Sequence, residues 1–251
     1  MILELDAGNT RVKWRVIDEL GKRRGGGALV SDATAGDMLE PLLAARNLTA
    51  ARMVSVASPV VAQSIGFMLQ RSFGIELRLV AVQAECNGLV NPYQNVSKLG
   101  ADRWLAVLAA RKHYGDDCLV VDCGSATTIE MLSAGRYLGG VIAPGVSLMF
   151  KALYSDTHQV KVLGERPQEL DAAKDTDSAV QCGVWGSQVG LISYYRELLL
   201  QRGAGVEPRV VICGGDASQL GGLLPFKHAV HEELVLDGLA IASPIIQSVA
   251  D

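Results

Sequence analysis

Aromatic residues make up only 5% of this 251-residue chain and charged residues 20%, against 49% hydrophobic residues. A core built from it is therefore mostly aliphatic, and the length allows one large domain or two smaller ones. An excess of positive charge is also missing. The formal net charge is −4, so there is no electrostatic footprint for nucleic acid. The one short basic run, Lys22-Arg23-Arg24, abuts Gly25-Gly26-Gly27 and reads as a solvated loop. The cysteines Cys86, Cys118, Cys123, Cys182 and Cys213 are odd in number and form no C-x-x-C pair. That argues for reduced thiols, against a disulfide framework and against structural zinc. Long apolar runs are absent too. The most apolar tail segment, 234–250, is interrupted by Asp237 and Pro244 and is too short to span a bilayer. The opening Met1-Ile2-Leu3-Glu4-Leu5-Asp6 has neither the basic region nor the apolar stretch of a signal peptide. These absences set the expectation of a cytoplasmic protein with no membrane or nucleic-acid partner. No G-x-G-x-x-G follows the first apolar run, which sets aside a Rossmann dehydrogenase.

Glycine, by contrast, is plentiful at 27 residues, and it is placed where strands end. Residues 2–5 read as a buried strand, and Asp6-Ala7-Gly8-Asn9-Thr10 as a turn. In 11–17, Val12, Trp14 and Val16 alternate with Arg11, Lys13 and Arg15, a period-two strand, so the chain opens on a β-hairpin. A polar linking stretch and a helix over 35–45 follow. Strands are expected at 53–57 and 76–82, with a helix over 63–73 between them. Pro92 keeps 88–93 out of regular helix. Helical spacing returns over 101–114, with Asp102 in the first turn. Then the opening recurs: 118–130 is a buried strand, a D-x-G turn at Asp122-Cys123-Gly124 and a second strand. Two D-x-G turns, each between apolar strands, point to duplicated halves, with a boundary near Gly115. Further elements are a strand over 137–143, helices over 147–153 and 178–201, and a strand over 209–213 leading into Gly214-Gly215-Asp216.

The turns carry the chemistry. At Gly8 no Cβ intervenes between backbone N–H groups and an anion. Asn9 and Thr10 add neutral donors, Lys13 adds a cation, and Asp6 is a hard oxygen ligand suited to hydrated magnesium. The same residue types also serve an ordinary hairpin turn. The second turn repeats the acid, the glycine and the hydroxyls with Asp122, Gly124, Ser125, Thr127 and Thr128. Transfer of a phosphoryl group to an alcohol needs a carboxylate for the hydroxyl proton and cations to offset phosphate charge. Asp102 is the candidate base, beside Arg103. An aspartate in a first helical turn also complements the helix dipole without any catalytic role.

Taken in order, D-x-G-N-T-x-x-K, N-P-Y…L-G-A-D-R, D-x-G-S-A-T-T and G-G-V-I-A-P-G resemble type III pantothenate kinase from Asp6 to about Gly215. The segment Thr176-Asp177-Ser178-Ala179…Gly183 is similar to the family's T-x-x-A-x-x-x-G. The resemblance implies an α/β fold of the actin-like ATPase type. It would have two ribonuclease H-like domains, 1–115 and 116–251, each a mixed sheet flanked by helices, with a cleft between them. It implies ATP binding by Asp6, Ala7, Gly8, Asn9, Thr10, Arg11, Val12, Lys13 and Ser125. Pantothenate binding falls to Tyr93, Gly100, Ala101, Asp102, Arg103 and Thr176, with Asp102 as proton acceptor. It further implies a monovalent cation (potassium or ammonium) at Asp122, magnesium carried by ATP, and a homodimer in which Thr176 serves the partner's pocket. Two departures stand out: Ser125 replaces the usual threonine and Glu130 the usual aspartate. The alternatives are another small-molecule kinase of the same superfamily and a nucleotide-binding regulator without catalysis. The N-P-Y…G-A-D-R segment argues against the first. An acidic chain with no helix-turn-helix ahead of its first strand argues against the second.

Overall fold

Strand β1 (Ile2–Ala7) is buried along nearly its whole length, as befits an apolar strand covered on both faces. The computed structural model describes residues 1–30, 47–156, 166–203 and 205–245, so the helix expected over 35–45 lies outside the described residues. On one side β1 pairs antiparallel with β2 (Arg11–Ile17), placing Asp6 opposite Lys13. On the other it runs parallel to β4 (Ala50–Ser55), which is itself parallel to β5 (Leu77–Leu79). Strand β3 (Arg23–Val30) pairs with β2 and completes the order β3-β2-β1-β4-β5.

Strand β3 corrects the reading of Lys22–Gly27 as a loop. The ladder needs backbone groups, not apolar side chains, and Gly25, Gly26 and Gly27 pair with Val16, Arg15 and Trp14. Glycine also fits sterically. A Cβ at Gly26 would lie 2.8 Å from the Trp14 carbonyl oxygen, and one at Gly27 would lie 3.3 Å from Trp14 Nε1.

Helix α1 (Pro59–Phe73) starts behind Ser58 with proline in its first turn and stops at Gly74, whose φ of 67° suits glycine. It buries Ala62, Ile65, Met68 and Leu69 against the first core. A two-stranded hairpin, β6 (Glu85–Cys86) and β7 (Leu89–Val90), turns at Asn87-Gly88, both at positive φ. A 3₁₀ turn (Val96–Lys98) then leads into α2 (Ala101–Tyr114).

The second half repeats the first. Strands β8 (Cys118–Cys123), β9 (Ala126–Ser133) and β10 (Arg136–Pro144) form an antiparallel meander. Helices α3 (Val146–Asp156) and α4 (Thr176–Arg202) follow, then β11 (Arg209–Cys213), α5 (Ala217–Leu223) and β12 (His228–Val230). The sheet order is β10-β9-β8-β11-β12, with β11 and β12 parallel to β8 as β4 and β5 are to β1.

The last described helix, α6 (Leu234–Ala242), returns to the first sheet. Arg15 Nη1 donates to Asp237 at 2.7 Å, and Arg52 Nη1 donates to the Ser243 carbonyl. Both arginines also bind the fully buried Glu4, with Arg15 Nε 2.5 Å and Arg52 Nε 2.8 Å from its carboxylate. A Cβ at Gly238 would overlap the backbone of Leu105, so helix and helix meet closely there. The chain therefore forms one unit of Met1–Ala109 with Leu234–Asp251 and another of Ala110–Glu233, rather than two contiguous halves. Among the described residues no helix is long and apolar enough to cross a membrane.

Candidate active site

The tip of the β1–β2 hairpin is closed by the Gly8 amide, which donates to the Arg11 carbonyl at 3.0 Å. Asn9, Thr10 and Arg11 are exposed, while Asp6, Gly8 and Lys13 are half-buried. Ala7 and Val12 instead belong to the core, so only their backbone groups are available to a ligand. The amides of Val56 and Ala57 both donate to the Ala7 carbonyl (3.0 and 3.2 Å), fixing the strand end from which the turn projects.

In the same unit, the segment from Asn91 to Arg103 brings five of the expected substrate residues together. Buried Asn91 accepts the Tyr93 amide at 2.9 Å, an Asx turn spanning Pro92, and donates to the Gln83 carbonyl at 3.4 Å. Arg103, also buried, donates from Nη1 to Tyr93 Oη at 3.1 Å. Its guanidinium carbon lies 5.9 Å from the Tyr93 ring centroid, within cation–π range. Asp102 occupies the first turn of α2 and accepts the Arg103 amide at 2.8 Å. Gly100 makes room for it: a Cβ there would lie 2.6 Å from Asp102 Oδ1. Fully buried Trp104 anchors the turn, so Asp102 and Arg103 stand on a rigid helix start.

The second turn is built more tightly than the first. Gly124 donates to the Ala126 carbonyl and Gly145 to the Ser125 carbonyl, both at 3.1 Å, and Asp216 donates to the Cys123 carbonyl at 3.0 Å. Gly214, at φ 95°, approaches so closely that a Cβ would lie 2.5 Å from Asp122 Oδ1. A Cβ at Gly145 would lie 2.7 Å from the Ser125 carbonyl oxygen. Ser125 is exposed and Asp122 half-buried at the end of β8. Burial, then the charges of Asp122 and Asp216, push the Cys123 thiol well above its ordinary value. Thr176 is the exposed first residue of α4. Its neighbour Asp175 caps the helix, and the hydrogen bonds from Ser178 hold that carboxyl below its ordinary value.

Glu130, the departure noted in the second motif, is a buried carboxylate that accepts the Tyr137 hydroxyl at 2.5 Å. Gly140 lies directly opposite it in the β9–β10 ladder, and a Cβ there would collide with the carboxylate. Gly139, at φ 94°, sits at the register shift of that ladder. The Gly139-Gly140 pair thus accommodates a bulge and a buried acid. Among the described residues no group of three or more His, Cys, Asp or Glu side chains could cage a metal ion. Half-buried Asp122, near the end of β8, is a hard oxygen donor of the kind that a hard cation takes.

Two matched sheets of this order, each opening on a D-x-G hairpin, define a two-domain protein of the actin-like ATPase and sugar kinase fold. A structure assigned as a 2-dehydro-3-deoxygalactonokinase from Sinorhizobium meliloti shares that fold. Its TM-score is 0.55 at 13% identity, covering 96% of this chain and 98% of that one. The family model for type III pantothenate kinase matches residues 2–197. The type III pantothenate kinase of Aromatoleum aromaticum is 35% identical over 246 residues, 97% of this chain and 98% of its own length. That of Azotobacter vinelandii is 32% identical over 251 residues, covering 98% and 99%. The chain belongs to the type III pantothenate kinase family, and its reaction is the ATP-dependent phosphorylation of pantothenate in coenzyme A biosynthesis.

Proposed function

We propose that Asp102 is the general base of this kinase and that Tyr93, Gly100, Ala101, Arg103 and Thr176 bind pantothenate around it. The observation that carries the reading is the start of α2. There a carboxylate at a helix N-terminus stands beside a buried arginine that is held by a tyrosine hydroxyl. Its carboxylate stands in the first turn of α2, at the positive end of the helix dipole. Phosphate binding falls to residues 6–13 and to Ser125, through backbone N–H groups, hydroxyls and Lys13. The pantothenate hydroxyl oxygen attacks the γ-phosphorus in line and the bond to the β-bridging oxygen breaks. ADP departs, and the hydroxyl proton passes to Asp102. Magnesium bound to ATP would supply charge neutralisation, and Asp122 would hold a potassium or ammonium ion. We further propose that the enzyme is a cytoplasmic homodimer in which Thr176 completes the partner's pantothenate pocket.

The test is ADP release by purified enzyme with ATP, magnesium and pantothenate, in potassium and then in sodium. Pantothenate-dependent turnover that drops in sodium supports the Asp122 cation site. Turnover indifferent to the exchange removes that site from the reading, and folded, ATP-binding protein that ignores pantothenate overturns the substrate assignment.

A further inference from the structure

Gln188 is fully buried midway along α4, on the apolar face that also carries Val184, Trp185 and Ile192. Its amide is paired at both ends. Oε1 accepts from Thr127 Oγ1 at 2.6 Å, and Nε2 donates to the Pro144 carbonyl at 3.0 Å, with Met149 Sδ at 3.8 Å. A buried amide adds little net stability over an apolar side chain of similar volume, so its value lies in what it holds in place.

What it holds are the two flanks of Ser125. Thr127 lies two residues beyond Ser125 in β9. Pro144 faces Ala126 as the last pair of the β9–β10 ladder. The next residue, Gly145, donates to the Ser125 carbonyl at 3.1 Å and packs against the Gly124 and Ser125 carbonyls too closely for any Cβ. One side chain therefore clamps both sides of the turn, while Ser125 itself remains exposed.

We propose that Gln188 is a positioning residue for ATP: through Thr127 and Pro144 it fixes the Gly124–Ser125 turn in the conformation that receives phosphate. The inference rests on the reading that Ser125 contacts ATP. Gln188→Met keeps the length of the side chain and removes both hydrogen bonds. It should raise KM for ATP by about tenfold or more, while KM for pantothenate changes by less than about twofold. Thr127→Val should shift KM for ATP in the same direction, and Thr127→Ser, which restores the hydroxyl, should recover most of that shift. A merely structural role would lower the melting temperature and the active fraction but leave the ATP and pantothenate constants alone. If Gln188→Met does not fold, Thr127→Val, which removes the bond to Oε1 from the other side, carries the same expectation alone. Wild-type KM for ATP in folded Gln188→Met and Thr127→Val overturns the proposal. Ser125→Ala separates the two readings. If it raises KM for ATP while Gln188→Met does not, only the role of Gln188 falls. If Ser125→Ala leaves KM for ATP unchanged, both readings fall.

Discussion

Asp102 gains its properties from its immediate neighbours: a helix start, the Arg103 amide donating to Oδ1, and a glycine at 100 that leaves space for the carboxylate. Asp102→Asn keeps the volume and the acceptor for that amide, so the fold and ATP affinity should persist. Turnover should fall by about 10² to 10⁴, the range for loss of a general base. ATP binding by calorimetry alongside steady-state turnover checks this, and wild-type-like turnover would remove Asp102 from catalysis. The cysteines make a second residue-scale case. Burial, then the charges of Asp117 and Asp116, push the Cys118 thiol from its ordinary 9.0 up to about 12. Its folded-state value is raised, so its contribution to stability is full below pH 9.0 and is lost as pH climbs toward about 12. At pH 8 iodoacetamide should therefore modify half-buried Cys86 and Cys182 well before the buried Cys118, Cys123 and Cys213. Peptide mass mapping reads the order, and early labelling of Cys118 would contradict it. Residues such as Gly8 and Asp102 were legible in the sequence because turns and helix starts are local. Buried Arg15 was not. Strand alternation put it on the polar face, and its partners Glu4 and Asp237 lie 11 and 222 residues away.

At the scale of elements, β1, β2 and α2 are legible because each is marked within its own span: a short apolar run in β1, alternation in β2, a four-residue apolar repeat in α2. Strand β3 hides behind its glycines, since backbone pairing leaves no mark on side-chain pattern. Helix α5 and strand β12, with seven and three residues, are too short to show a period. Helix α6 is apolar on most of its surface, so it reads as a tail rather than as an amphipathic face. Its place is set by the Glu4, Arg15, Arg52 and Asp237 network, which joins β1, β2, β4 and α6. Removing one charge from such a network leaves the others buried and uncompensated. Glu4→Gln should cost about 3 to 5 kcal/mol in unfolding free energy, the usual penalty for breaking a buried ion pair. Urea unfolding measures it. A loss below about 1 kcal/mol would show that water reaches the arginines and that α6 is held by apolar packing alone.

The duplication belongs to the whole molecule: two five-stranded sheets of one order, each with a D-x-G hairpin on its central strand. It was legible from two short turns because each sits between apolar strands that have to be central. The return of α6 to the first unit was not legible, because no local signal marks which sheet a closing helix covers. Nor does local pattern say whether Thr176, exposed at the start of α4, serves its own subunit or another. In the proposed homodimer, complementation decides that point. Two parent variants, Asp102→Asn and Thr176→Val, would each be nearly inactive. If Thr176 works in its own subunit, every site in a mixed dimer still carries one lesion and activity stays low. If it works across the dimer, one site of each mixed dimer has both lesions and the other has none. Random reassociation of equal amounts makes half the dimers mixed, so about a quarter of wild-type activity should return on mixing. No recovery after demonstrated subunit exchange would assign Thr176 to its own subunit and leave the dimer without a catalytic reason.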